Sequence, residues 1–297
     1  MARYGLSYAD LKAANPRLIY CSITGFGQTG PYAPRAGYDM LAQGLGGIMS
    51  VTGEPDRPPM KVGVGIADIM CGMYAASAIL AALHHRDRTG EGQYIDLSLL
   101  DTQVAWLANV GLNYLTSGEV PQRLGNEHPN IVPYNVMAAA DGHVILAVGN
   151  DSQFAKFCEF AGAPDLAADP RFVTNEKRVA NRRALYALLE PVLKLKSQHD
   201  WVAGLARLGV PCSPVNTVEQ VFDDPQIKSR EMRLSMPHPL AGKGSVVLIA
   251  NPIRFSLTPV AYREAPPFLG QHSEEVLREL LGLDAAGIAT LHKDGAI

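Results

Sequence analysis

The sequence predicts an α/β fold, and three observations predict it. Short apolar runs of strand length alternate with longer helix-length runs over the first 120 residues. Clusters of Gly and Pro punctuate nearly every change of period. Hydrophobic residues make up 47% of the 297 positions, enough for a sizeable core. That length suits two domains of about 100–200 residues each.

The elements follow in order. "SYADLKAANP" predicts a short helix with Ser7 as N-cap, barred from continuing by Pro16. "RLIYCSITGFG" predicts a strand ended by glycines, and "GQTGPYAPRAGYD" a loop. "DMLAQGLGGIMSVTG" has the spacing of a short helix weakened by glycine. "KVGVGIA" reads as a buried strand, and "DIMCGMYAASAILAALHHRDRTG" as a buried helix stopped by Gly90. "EGQYIDLSLLD" gives a further strand, and "VAWLANVGLNYL" a helix. Strand, helix and strand in this order imply a parallel crossover. "SGEVPQRLGNEHPNIVPY" is a long polar connection and a domain boundary. Beyond it, "HVILAVGN", "DSQFAKFCEFAG" and a helix from Asn175 compose a smaller α+β unit. The basic stretch "NEKRVANRRALY" suits the exposed face of an amphipathic helix and is assigned no site. "SVVLIANPIRFS" is a strand interrupted at Pro252, and the tail is helical, with Ser273 as N-cap and Gly282 as stop.

Composition excludes several functions. Net charge is −3, and no block of Lys and Arg marks a nucleic-acid surface. Cys21, Cys71, Cys158 and Cys212 stand far apart, which reads as reduced thiols of a cytoplasmic protein and not as a metal site. No signal peptide is expected, and the apolar run after Asp68 falls short of the ~20 residues a bilayer span needs. "RTGEGQ" lacks the Lys-Ser/Thr of a phosphate-binding loop.

Asp68 is the one acidic residue between Lys61 and His85. From spacing it reads first as a helix N-cap. The same position permits chemistry. A helix N-terminus favours negative charge, and a carboxylate at the carboxyl end of a strand is a potential nucleophile toward an activated acyl group.

Three separated stretches carry a resemblance. They are "TGFGQTGPYAPRAGYDMLAQGLGGIMSVTG", "KVGVGIADIMCGMYAASAILAALHHRDRTGEGQYIDLSLLD" and "APPFLGQHSEEVLRELLGLD". Together they resemble the class III CoA-transferases, the CaiB/BaiF-type family, along essentially the whole chain. The resemblance implies a Rossmann-like large domain built from both chain ends, over 1–120 and 225–297, with a smaller α+β domain inserted over 125–224. It implies Asp68 as the nucleophile, and Arg35, Gly37 and Tyr38 at the coenzyme A site, with Asp39 either near the acyl group or in a turn. It implies an acceptor or lid loop at Gly125, Asn126 and His128, with Arg123 beside them; the glycine-rich lid of formyl-CoA transferases is reduced here to Gly125. The substrates implied are an acyl-CoA and a small carboxylic acid, with a lean to succinyl-CoA and dicarboxylates. No permanent cofactor, metal, nucleic acid or membrane is implied, and the expected assembly is an interlocked homodimer. The usual N-terminal segment of that family is expected to be missing before residue 4. Two alternatives stand beside this reading. One is an acyl-CoA racemase of the same superfamily, which carries His where Tyr38 stands. The other is a truncated, non-catalytic relative.

Overall fold

The computed structural model describes residues 1–297 and is a mixed helix and sheet protein. It divides into two compact units, Met1–Pro214 and Val215–Ile297.

The first unit opens with α1 (Tyr8–Ala14), capped by Ser7 as predicted; the structure adds Asp10, which completes a reciprocal capping box. It continues with β1 (Tyr20–Thr24), α2 (Asp39–Leu45), α3 (Ile48–Val51), α4 (Ile66–Thr89), β2 (Tyr94–Ser98), α5 (Leu99–Ala105) and α6 (Ala108–Ser117). β1 and β2 pair in parallel from Tyr20↔Tyr94 to Thr24↔Ser98, so the crossover exists and α4 lies within it.

Three expectations are corrected here. Residues 61–65 form no strand; α4 begins at Ile66, and the first strand of the parallel pair is β1. The valines alternate as in a strand, but the Val62 amide donates to the Gln43 side chain and not to a ladder. The glycines at 46 and 47 split the helix expected over 39–53 into α2 and α3. The helix expected over 104–115 breaks at Trp106–Leu107, between α5 and α6.

A fourth correction concerns α4, which the sequence predicts to be buried. Of its 24 residues only Ala67, Cys71, Ala75 and Ala82 are buried. Met73 and Leu80 are 60% and 66% exposed. Its length and composition, with a mean hydropathy of 1.8 over 18 residues, would suffice to cross a membrane; core helices of soluble proteins pass the same test. The core around α4 is small-residue: Ala42, Ala67, Cys71 and Leu99, with Leu97 packed against them.

The rest of this unit comprises β3 (Tyr134–Ala138), β4 (His143–Ala147), α7 (Asp151–Ala161), α8 (Asp165–Ala168), α9 (Asn175–Ala180), α10 (Arg182–Leu193), α11 (Gln198–Arg207) and β5 (Cys212–Pro214). The sheet order is β3-β4-β5, antiparallel throughout. Its core is large and aromatic, with Phe154, Phe157, Phe172 and Trp201 fully buried beside Leu185, Leu189 and Leu205. Arg178, expected on a solvated face, is fully buried.

The second unit holds α12 (Val218–Asp223), α13 (Pro225–Ser229), β6 (Arg233–Pro237), β7 (Ser245–Ile249), α14 (Ser273–Leu281) and α15 (Ala285–Lys293). β6 and β7 form an antiparallel hairpin. α14 ends at Gly282 as predicted, with φ +65, but its N-cap is His272 and Ser273 is its first residue.

Candidate functional site

Asp68 is the third residue of α4 and is not its cap. The N-cap is Gly65, which has no side chain to offer. The capping function comes instead from Asp39, 28 residues earlier on α2. The Ala67 amide donates to Asp39 Oδ1 at 2.8 Å. The Asp39 Oδ2 atom accepts from Gln43 Nε2 at 2.7 Å, and Gln43 Oε1 accepts from the Val62 amide at 2.9 Å. Gln43 is fully buried.

The result is a division of labour between two carboxylates at one helix start. Asp39 is half-buried and bonded to two donors, while Asp68 is exposed and accepts no hydrogen bond from the protein. A Cβ built on Gly65 would lie 3.7 Å from Asp39 Oδ1 and 3.7 Å from Asp68 Oδ2, so both carboxylates flank this one backbone position. Among the amides of the first turn, Ile66 donates to Val64 O and Ala67 to Asp39. The Asp68 amide has no protein acceptor and is open to a developing negative charge.

The loop before α2 is seated by backbone contact. A Cβ on Gly25 would stand 2.5 Å from the Gly37 Cα, and one on Gly37 would meet the Gly25 Cα just as closely. Only glycine allows the "TGFG" and "RAGYD" segments to touch in this way. Gln28 ties the same loop to β2, its amide donating to the Asp96 carboxylate at 3.0 Å. Arg35 stacks its guanidinium 3.8 Å from the Tyr32 ring centroid and stays exposed. Tyr38 is the N-cap of α2 and is 73% exposed. The structure thus brings Gly37, Tyr38 and Asp39 to the start of α2, with Asp39 reaching Asp68's helix.

The acceptor-loop candidates are placed differently. Gly125 has φ +60 and its amide donates to Gly53 O at 3.0 Å. It lines a cavity of about 320 Å³ with Val51, Val110 and Leu124, and Asp68 is not part of that lining. Arg123, a candidate for binding a carboxylate, is committed to the backbone: its Nε and one terminal nitrogen donate to the carbonyls of Glu54, Pro55 and Arg57. Asn126 is exposed and makes no side-chain hydrogen bond. His128 lies against the Tyr134 ring, and its Nδ1 accepts from the Asn130 amide at 3.1 Å. Arg182 fastens the same loop, donating to Glu127, to His128 O and to Pro129 O.

Burial disfavours the thiolate at all four cysteines. Burial pushes Cys71 up, the Thr102 hydrogen bond opposing it and the charges of Cys21 and Asp68 adding to it. Burial carries Cys158 to about 12 and Cys212 to about 11. These cysteines stay protonated near neutrality and act as small apolar core groups. No group of three or more His, Cys, Asp and Glu side chains has the arrangement of a metal site.

A model of CoA-transferase family III matches residues 1–273. A succinate–glutarate CoA-transferase of Agrobacterium fabrum is 49% identical over 281 residues, covering 94% of this chain and 70% of that protein. An acyl-CoA transferase of Fusarium pseudograminearum is 41% identical over all 297 residues; the chain spans 65% of its length, just under two thirds. The crystal structure of a CaiB/BaiF family protein from Brucella suis superposes with a TM-score of 0.80 at 52% identity, over 94% of this chain and 72% of that one.

Proposed function

The chain belongs to CoA-transferase family III, and from that membership we propose that it moves coenzyme A from succinyl-CoA to a small dicarboxylic acid through Asp68. The observation that carries the reading is the unpaired, exposed Asp68 carboxylate in the first turn of α4, beside a helix start that another carboxylate already caps. The name of the Agrobacterium fabrum relative, which pairs succinate with glutarate, supports the choice of acids.

The proposed steps balance without metal or ATP. An Asp68 oxygen attacks the thioester carbonyl of succinyl-CoA, the C–S bond breaks, and coenzyme A departs as thiolate. The product on the enzyme is a mixed anhydride of Asp68 and succinate. The thiolate then attacks the Asp68 carbonyl, releasing succinate and leaving an Asp68–CoA thioester. The acceptor carboxylate attacks that thioester, expelling the thiolate again and forming a second anhydride. The thiolate takes the acceptor acyl group and frees Asp68. Each tetrahedral stage develops an oxyanion, which the open Asp68 amide suits. Donor and acceptor thioesters have similar energy, so the exchange needs no other driving force.

Gly65 gives this reading a steric test. Its φ of −72 and ψ of 68 form an inverse γ-turn, which L-residues adopt, and the nearest atoms to the added methyl of Gly65→Ala belong to the two carboxylates, at 3.7 Å. The methyl crowds the approach to Asp68. We expect kcat/KM for succinyl-CoA to fall about tenfold to hundredfold. The expected stability change stays within about 0.5 kcal/mol. Steady-state kinetics beside a thermal melt check this, and an unchanged kcat/KM would count against an approach over Gly65.

The reading includes a homodimer. Ile69, Met73 and Leu80 leave a large apolar surface on α4 uncovered, beside a core made mostly of alanine. A second copy of the chain would cover that face. Light scattering on the purified chain is expected to give twice the 31.9 kDa monomer mass. A stable monomer in the absence of detergent would contradict this part of the reading.

A further inference from the structure

We infer that Asp39 and Gln43 form a clamp that positions Asp68, with Asp39 capping α4 at the amide of Ala67, the residue before it. The inference rests on the reading of Asp68 as the nucleophile.

Asp39 and Gln43 sit one helical turn apart on α2 and therefore share a face. Their three bonds reach both ends of the segment that leads into α4: Val62 at its start and Ala67 in the first turn. The polarity of the clamp is fixed. Gln43 Oε1 is taken by the Val62 amide, so Gln43 Nε2 has to face Asp39 Oδ2. Gln43 is fully buried, so a reversed amide would leave its groups unpaired, away from water.

Packing alone does not set this geometry. α2 meets α4 through Ala42, Ala67 and Cys71, side chains too small to interlock. Small residues let the helices come close, and their few atoms give the contact little direction. Directional hydrogen bonds supply what the alanines do not. The Ala67 bond also falls on the residue next to Asp68, so it fixes the backbone from which that carboxylate projects. Asp39 and Gln43 are thus positioning residues.

The fixed polarity provides the test. In Asp39→Asn one oxygen can still accept from Ala67, but the new amide nitrogen faces Gln43 Nε2, donor against donor. Adding Gln43→Glu restores the pattern. One oxygen of the carboxylate introduced at position 43 accepts from the amide introduced at position 39, and the other accepts from Val62. The double variant carries the same net charge as the native pair. With succinyl-CoA and glutarate as probes, Asp39→Asn is expected to lower kcat about tenfold to hundredfold. KM for succinyl-CoA should stay within about threefold, since the loss falls on the reacting geometry. Adding Gln43→Glu is expected to recover at least about tenfold of the lost kcat. Amide hydrogen exchange at Val62 and Ala67 gives a readout that needs no turnover: exchange should quicken in Asp39→Asn and return toward native in the double variant. Native kcat in Asp39→Asn, native exchange in Asp39→Asn, or a double variant no better than the single would each overturn the clamp. Failure of the underlying reading looks different. There, Asp68→Ala keeps its turnover, or the native chain forms no adduct at Asp68, while the exchange pattern of the clamp variants still follows the bonding.

Discussion

Asp68→Ala is expected to lower transfer from succinyl-CoA to glutarate by at least about a thousandfold, the scale of removing a covalent nucleophile. The same substitution should leave stability within about 0.5 kcal/mol of the native chain. That pairing of results is what the structure makes specific. Were Asp68 the cap of α4, its loss would cost about 0.5–2 kcal/mol. The cap is Asp39, through the Ala67 amide, and Asp68 is exposed with no protein partner for its carboxylate. A steady-state assay and a thermal melt on one preparation check both halves. Retained turnover would remove Asp68 from the chemistry, and a lowered melting temperature with full activity would return it to a capping role.

Arg178→Met is expected to destabilise the first unit by about 3 kcal/mol, through orphaned acceptors and a broken ion pair. Arg178 is fully buried and uses its guanidinium three ways: Nε donates to Val132 O at 2.7 Å, one terminal nitrogen to Phe172 O at 2.9 Å and the other to Asp151 at 2.8 Å. It also lies 4.5 Å from the Phe154 ring centroid. Met replaces much of the volume but none of the donors, so two interior carbonyls lose their partner. Asp151 is 55% exposed and regains water, which keeps the cost below that of a fully buried pair. For a unit of this size the melting midpoint should drop by about 6–12 °C. A drop under about 2 °C would mean that water or a local shift satisfies Val132 and Phe172.

The two substitutions mark where the sequence is legible and where it is not. Several signals within one turn of a helix are read correctly: Ser7 caps α1, and Gly90 and Gly282 stop α4 and α14 with left-handed backbone, whereas the cap expected at Ser273 is His272. The strands at 20–24 and 94–98 follow from their apolar, β-branched runs. Errors come where a distant partner overrides a local pattern. The valines of "KVGVGIA" alternate like a strand, but Gln43, 19 residues away, takes the Val62 amide. Asp68 has the right residue type for a cap, yet Asp39 reaches the helix first. Arg178 lies in a basic helical stretch that suits solvent, and its acceptors are Val132, Phe172 and Asp151, 46, 6 and 27 residues distant. Arg123 shows the same effect in the acceptor loop, where three carbonyls between 54 and 57 use the charge that the sequence assigns to a substrate. The place of Asp68 at the start of α4 is legible in the sequence; that it is not the cap is not, because the cap comes from another helix.

The most direct test of the central claim is peptide mass spectrometry after brief mixing of the chain with succinyl-CoA. The account predicts a succinyl or coenzyme A adduct confined to the tryptic peptide Val62–Arg86, which contains Asp68, and none in Asp68→Ala. An adduct on any other peptide, or one that persists in Asp68→Ala, would contradict it.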